Sequence, residues 1–101
     1  MSAILNLKNY SFLIYGLGAS GHSVVKYFKE KNFSNYNIWD DNIKIRKKFK
    51  FKAPSNLSKT LKEVDFIVLS PGISLKKTKN KKKLEKYKKK IITDLDLFYL
   101  N

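Results

Sequence analysis

Hydrophobic and polar positions alternate along this chain with two different periods. Phe12 to Tyr15 and Phe66 to Leu69 are apolar at every position, which is typical of parallel strands covered on both faces. Between them, Val24, Val25 and Phe28 recur at the spacing of one helical face. Strands that alternate with helices through short connections predict a parallel sheet with right-handed crossovers.

The same pattern predicts where each element lies. We expect strands at residues 12–15, 36–40, 48–51, 65–70 and 91–92. We expect helices at residues 19–31 and 58–63, within 76–90, where Leu84 and Tyr87 form the apolar stripe, and at 95–100 after a capping box from Thr93 to Asp96. Because 101 residues suffice for one core, the expected fold is a single α/β domain, a parallel sheet of about five strands flanked by helices.

Three glycines stand between the first strand and the first helix, at Gly16, Gly18 and Gly21. In this context Gly16 permits the turn, Gly18 lets a phosphate approach the backbone, and Gly21 lets the helix sit close to the strand. The free N–H groups at the start of that helix then face an anion. The motif predicts a nucleotide or nucleotide-like ligand, although the glycines alone do not say which one.

Two further loops are expected at the same edge of the sheet. Asp40 to Asn42 follow the second strand, and Ser70 to Gly72 follow the strand that ends at Leu69. Pro71 and Gly72 suit the central positions of a type II turn. Since ligands of such sheets bind outside the carboxyl ends of the strands, we expect the three loops to form one crevice.

The large positive net charge is weak evidence for a nucleic-acid partner. The chain has 22 basic and 8 acidic residues, a formal net charge of +14, which is typical of nucleic-acid-binding proteins. However, Arg46 is the one arginine, and arginine dominates the recognition of phosphates and base edges. We therefore expect no dedicated nucleic-acid partner, and we interpret the lysine-rich stretch at residues 76–90 as a solvated face.

Composition also limits compartment and chemistry. Cysteine is absent, which excludes disulfides and thiolate metal sites and favours a cytoplasmic location. No apolar run exceeds four residues, so we expect no membrane span. No cluster of histidines or carboxylates has metal-ligand spacing, and His22 lacks an evident acid or nucleophile beside it, so we expect neither a metal site nor a catalytic residue.

Four segments together resemble the N-terminal domain of the Mur ligase family of peptidoglycan synthesis. They are the glycine loop Gly16 to Gly21, Trp39-Asp40-Asp41, Leu69-Ser70-Pro71-Gly72-Ile73, and the stretch from Thr93 to Phe98. The resemblance covers essentially the whole chain in order and spacing, and Ser-Pro-Gly-Ile after a buried strand is far more specific than the glycine loop. It implies a Rossmann-like domain that binds the UDP end of UDP-N-acetylmuramoyl-L-alanine.

The resemblance also implies a role for each site residue. The diphosphate would be met by Gly18, Ala19, Ser20 and Gly21. Asp40 would meet the uracil, with Asp41 beside it, and the opposite wall would be formed by Ser70, Pro71 and Gly72. Related enzymes often have arginine two residues after the acid, where this chain has Asn42, which can hydrogen-bond a uracil edge but cannot pair ionically.

The catalytic parts of the family are expected elsewhere. Its full-length enzymes use ATP and Mg²⁺ to phosphorylate a substrate carboxylate that the amine of D-glutamate then attacks. The Gly-x-x-Gly-Lys-Ser/Thr loop that holds ATP does not occur in these 101 residues. We therefore expect a monomeric fragment that binds substrate, requires no cofactor of its own and is inactive alone.

Two other functions fit parts of the pattern. Asp40 follows Gly21 by nineteen residues, which suits an acid on the ribose of NAD(P) in an oxidoreductase domain. The lysines at residues 76–90 would suit a basic nucleic-acid-binding module with steeply salt-dependent affinity.

Overall fold

The computed structural model describes residues 9–70, 78–93 and 96–97, with backbone alone at residues 19 and 20. The strands are β1 (Phe12–Tyr15), β2 (Tyr36–Trp39), β3 (Phe66–Leu69) and β4 (Ile91–Ile92). The helices are α1 (Ala19–Glu30), α2 (Ile43–Lys48), α3 (Leu57–Glu63) and α4 (Lys81–Lys86), and a 3₁₀ helix follows at Lys88–Lys90.

The strands form one parallel sheet in the order β2-β1-β3-β4. β1 is central and pairs with both neighbours, so Tyr15 lies opposite Trp39 on one side and Leu69 on the other. Its four residues are all buried, as their continuous apolar pattern predicts. The α/β class and the parallel sheet flanked by helices are therefore confirmed.

The expected strand at residues 48–51 is wrong, and the described sheet has four strands instead of about five. The segment instead continues from α2 into a turn, because the Asn42 side chain caps the helix by accepting from Lys44 N–H. Ile45 and Phe49, one helical turn apart, pack against the core. The Lys52 carbonyl still accepts from Ile38 N–H at 2.9 Å, so the chain runs beside β2 without becoming a strand.

Each face of the sheet has its own core. Phe12, Ile14 and Ile38 pack with Val24 and Phe28 of α1, and buried Leu97 belongs to the same cluster. The other face brings together residues of β1 and β3 with α3 and α4: Leu13, Tyr15, Ile67, Leu57, Leu61 and Leu84. As predicted, Leu84 and Tyr87 hold the lysine-rich segment against this face.

Local hydrogen bonds mark the end of α1 and the start of the helical turn at residues 96–97. Asn32, with φ 59°, follows α1, and Phe33 N–H donates to the Phe28 carbonyl at 2.8 Å, the bonding of a Schellman motif. The predicted capping box is confirmed, because Thr93 N–H donates to Asp96 Oδ2 and Asp96 N–H donates to Thr93 Oγ1.

Two sequence predictions fall outside the described residues. The first is the type II turn at Pro71 and Gly72. The second is most of the helix at residues 95–100, of which the structure describes residues 96 and 97, and these two are helical. Within the described part of the chain, every helix is too short or too polar to cross a lipid bilayer.

Candidate functional site

The loops that follow β1, β2 and β3 are bonded to one another at the carboxyl edge of the sheet. Gly16 N–H donates to the Trp39 carbonyl at 2.7 Å, and Ser70 N–H donates to the Tyr15 carbonyl at 3.1 Å. The buried Ser70 hydroxyl donates to the Gly16 carbonyl at 3.2 Å. The expected meeting of the glycine loop with the other two loops is therefore seen among their described residues.

The three glycines of the first loop differ in what makes each of them necessary. Gly16 has φ 96°, a conformation that other residues rarely adopt. A Cβ on Gly21 would lie 2.1 Å from the Gly16 carbonyl oxygen. Gly18 is exposed, and a Cβ there would meet nothing within 4 Å. The fold thus requires Gly16 and Gly21, while the space beside Gly18 is open.

α1 begins directly beside that open space. Gly18 is its N-cap and contributes no side-chain bond, and the first turn contains no acidic residue. Ala19 and Ser20 form the start of the helix, followed by Gly21. Since the first N–H groups of a helix have no partner within it and lie at the positive end of its dipole, this end of α1 suits an anion.

Asp40 is buried and holds the glycine loop in place. It is 9% exposed, and its Oδ2 accepts from Leu17 N–H at 2.8 Å. Its Oδ1 accepts from Asn42 N–H at 2.9 Å. One carboxylate therefore joins the end of β2 to the turn that precedes α1, with each oxygen accepting one of these two bonds.

Arg46 lies at the carboxyl edge of the sheet, although the sequence did not predict it as a site residue. Its guanidinium carbon lies 4.1 Å from the centre of the Trp39 ring, a cation–π arrangement. Its Nη1 donates to the Asp40 carbonyl at 2.6 Å. The available signal was helical spacing, because Arg46 lies one turn after Asn42 and α2 brings it back over the end of β2.

Asp41 is the centre of a group of hydrogen bonds that we call the Asp41 cluster: Tyr15, Trp39, Asp41, Thr78 and Asn80. Oδ1 accepts from the Tyr15 hydroxyl at 2.6 Å, from Trp39 Nε1 at 3.1 Å and from Asn80 Nδ2 at 3.1 Å. Oδ2 accepts from the Thr78 hydroxyl at 2.6 Å. The cluster joins the ends of β1 and β2 to the chain that precedes α4.

These bonds alter the protonation of both acidic groups in the cluster. Burial raises the pKa of Asp41, but the hydrogen bonds from Thr78, Tyr15, Trp39 and Asn80 outweigh it, and the net effect lowers the pKa. Burial, together with the bond to Asp41, raises the pKa of the Tyr15 phenol to about 12. Near neutral pH the pair is therefore a carboxylate that accepts from a neutral phenol.

The remaining predicted residues are placed as follows. Asn42 is exposed, and its side-chain oxygen is occupied as the cap of α2. Ser70 is 5% exposed and bonded to Gly16. Pro71 and Gly72 lie outside the described residues. His22 is exposed on α1, with its ring 6.1 Å from that of Phe49.

The described residues do not fit the metal that the family resemblance implies. Among residues 9–70, 78–93 and 96–97, no three histidine or carboxylate side chains are grouped so that they would hold a metal ion. The carboxylates of Asp40 and Asp41 are bonded to N–H and O–H donors instead. We therefore derive no step through ATP or Mg²⁺ for this chain.

Comparison with known proteins agrees with this geometry. Residues 10–93 match the family model described as Mur ligase MurD-like, N-terminal domain. A UDP-N-acetylmuramoylalanine--D-glutamate ligase of Aquifex aeolicus is 36% identical over 88 residues, which are 87% of this chain. Those residues are 19% of the relative, so the chain spans about a fifth of its length. This chain belongs to the Mur ligase family, in which it corresponds to the MurD-like N-terminal domain.

Proposed function

We propose that this chain is the UDP-N-acetylmuramoyl-L-alanine-binding domain of a cytoplasmic, ATP-dependent ligase that adds D-glutamate during peptidoglycan synthesis. Residues 10–93 match the model of a MurD-like N-terminal domain, and the name of the relative includes both the UDP sugar and D-glutamate. The chain alone binds substrate and does not catalyse, because no residue described at the site forms a nucleophile, a metal centre or an ATP loop.

The observation that carries this proposal is the open space at Gly18. This glycine lies where the three bonded loops meet α1, yet a side chain at this position would strike nothing. Gly18 backbone and the first N–H groups of α1 then face the diphosphate, which matches the preference of a helix N-terminus for anions. Ala19, Ser20 and Gly21 contribute their backbone to the same end.

The uracil is assigned to the end of β2. Asp40 has two of the four acceptor positions of its carboxylate taken by described N–H groups, so it retains capacity for the imide N–H of a uracil. Asn42 and Asp41 flank it, and Ser70, Pro71 and Gly72 are assigned to the opposite wall. The substrate therefore lies across the ends of β1, β2 and β3.

Titration of the 101-residue chain tests the proposal. UDP-N-acetylmuramoyl-L-alanine is expected to raise the melting temperature and to saturate, whereas NADH leaves it unchanged. UDP alone is expected to bind more weakly than the full substrate, since it makes fewer contacts. The proposal is contradicted if the folded chain shows no change in melting temperature with any UDP ligand at millimolar concentration.

The dinucleotide alternative is tested in the same titration. It assigns Asp40 to a ribose diol, and the burial of Asp40 and its bonds to Leu17 N–H and Asn42 N–H limit its carboxylate for this ligand and for uracil alike. Saturable binding of NAD(H) without binding of UDP would favour an oxidoreductase domain instead.

A further inference from the structure

The guanidinium of Arg46 lies at the strand end to which the uracil is assigned. Its Nη1 donates to the Asp40 carbonyl at 2.6 Å, and its central carbon lies 4.1 Å from the centre of the Trp39 ring. The Trp39 indole is held in turn, because its Nε1 donates to Asp41 Oδ1 at 3.1 Å. A hydrogen bond and a ring contact therefore keep the guanidinium beside Asp40.

Most of the hydrogen-bond capacity of this guanidinium is left for a ligand by the described part of the chain. An arginine side chain has several N–H donors and no acceptor, and the Asp40 carbonyl accepts from one of them. Arg46 is partly buried, and within residues 9–70, 78–93 and 96–97 no carboxylate forms an ion pair with it. Since a partly buried charge is stabilised by partners, the position suits a ligand that offers acceptor oxygens.

Asp40 and Arg46 together present an acceptor next to a donor. The Asp40 carboxylate accepts from Leu17 N–H and Asn42 N–H and retains some acceptor capacity, while Arg46 is bonded to the main chain of the same residue. Uracil presents an imide N–H flanked by carbonyl oxygens, so it matches this order. Cytosine has a bare ring nitrogen in place of that N–H and an amino group in place of one carbonyl, so it opposes both groups.

We propose that Arg46 determines the choice of base, donating from its guanidinium to a carbonyl oxygen of uracil while the Asp40 carboxylate accepts the imide N–H. This inference rests on the proposed function and adds a specificity residue to it. Arg46 is the more exposed of the two side chains, so it is the more accessible to a base. Because Trp39 and the Asp40 carbonyl already hold the guanidinium, little side-chain order has to be created on binding.

The affinities of UDP and CDP for the 101-residue chain test the inference, because the two ligands differ in the base alone. We expect the unaltered chain to bind UDP about tenfold more tightly than CDP or better, the discrimination typical of a matched base-edge contact. Arg46→Met keeps an unbranched apolar stem against Trp39 and removes the guanidinium. It is expected to lose about tenfold in affinity for UDP and much less in affinity for CDP.

Lys47→Met is the matched control. Lys47 follows Arg46 in α2 and is exposed, so its replacement removes the same charge from the same helix and leaves the guanidinium in place. We expect it to weaken UDP and CDP binding by the same small factor, since it alters the general attraction of anions. The preference for UDP should therefore survive in Lys47→Met and fall in Arg46→Met.

The ratio of the two affinities separates a base contact from a loss of stability. Both ligands are measured on the same variant, so a partly unfolded population weakens both by the same factor and leaves the ratio unchanged. Arg46→Lys provides a second variant that keeps the charge and lacks the planar fork. We expect it to retain its affinity for CDP and to lose part of the preference for UDP.

The outcomes distinguish this inference from the function on which it rests. If the folded, unaltered chain binds no UDP ligand, the proposed function is contradicted and the inference falls with it. If the unaltered chain binds UDP and CDP equally, or if Arg46→Met binds UDP as tightly as the unaltered chain does, the inference alone is overturned. Equal losses for UDP and CDP in Arg46→Met also overturn it, because Arg46 would then contact the diphosphate or the ribose that both ligands share.

Discussion

At the scale of single residues, the glycines of the first loop have separate physical causes. Gly16 has a backbone conformation that side chains disfavour, Gly21 touches the Gly16 carbonyl, and Gly18 adjoins open space. Two of the glycines are therefore required by the fold, and the third adjoins open space. A glycine motif by itself does not distinguish these causes, which explains why it identifies nucleotide sites so unspecifically.

Alanine at Gly21 is expected to destabilise the fold much more than alanine at Gly18. Gly21→Ala places a methyl group against a backbone carbonyl that cannot move aside, so we expect a loss of about 1–3 kcal/mol or more in the free energy of unfolding. Gly18→Ala is expected to change it by less than about 1 kcal/mol, since Gly18 is an N-cap without strain. Urea unfolding of both variants measures the difference, and equal losses would contradict it.

Protonation of Asp41 is expected to affect stability in acid. Its folded-state pKa is below the ordinary value of 3.8, so the stabilisation is present above pH 3.8 and is lost as the pH falls through the lower, folded-state pKa. Asp41→Asn should therefore be less stable than the unaltered chain near neutral pH, by about 1–3 kcal/mol. That deficit should shrink below pH 3.8. Unfolding curves of both proteins between about pH 2 and about pH 7 measure this difference in the free energy of unfolding. A difference that does not change with pH would contradict the lowered pKa of Asp41.

At the scale of elements, α2 shows how a short local signal directs the chain. Ile43, Ile45, Phe49 and Phe51 alternate loosely with basic residues, which suggested a strand. Asn42 caps the first turn instead, and Ile45 and Phe49 reach the core from one helical face. Phe51 is then left 92% exposed. A cap and a pair of apolar residues four apart outweighed the alternation.

Removal of the Asn42 cap is expected to weaken α2. Asn42→Ala should lower the free energy of unfolding by about 1 kcal/mol, because Lys44 N–H loses its acceptor. Asn42→Asp keeps an acceptor and should retain stability. Asn56→Ala, which removes the cap of α3, should cost a similar amount. Thermal unfolding checks all three, and an unaffected Asn42→Ala would show that the cap contributes nothing.

At the scale of the whole molecule, the charge is very unevenly balanced. The chain has 22 basic and 8 acidic residues. Because like charges on a small domain repel one another, this excess of positive charge opposes the compact folded state. Several cations are used locally, as when Lys90 Nζ donates to the Leu61 and Lys62 carbonyls at the end of α3.

Salt is therefore expected to stabilise this domain. An increase in ionic strength from about 10 mM to 150 mM shortens the Debye length from about 30 Å to about 8 Å and screens the repulsion. We expect the melting temperature to rise by several degrees, and about 1 kcal/mol corresponds to roughly 4–8 °C for a domain of this size. Scans at several sodium chloride concentrations measure it, and a falling melting temperature would contradict the prediction.

Much of the site was predictable because it depends on short-range patterns. Continuous apolar runs identified β1 and β3, and the three loops at their carboxyl ends followed from a parallel sheet. Capping chemistry identified Thr93 to Asp96 in the same way. Each of these features depends on residues a few positions apart, so that propensity and periodicity carry the information.

The sequence by itself thus determined the fold class, the glycine loop and the resemblance that led to the family. Only the tertiary structure decided which residues of the edge bond to one another. Asp41 receives bonds from Tyr15, 26 residues before it, and from Asn80, 39 residues after it, and Arg46 lies over Trp39. The reason is physical: such bonds depend on the angles and distances that the packed sheet imposes on residues far apart in the chain, which no local pattern records.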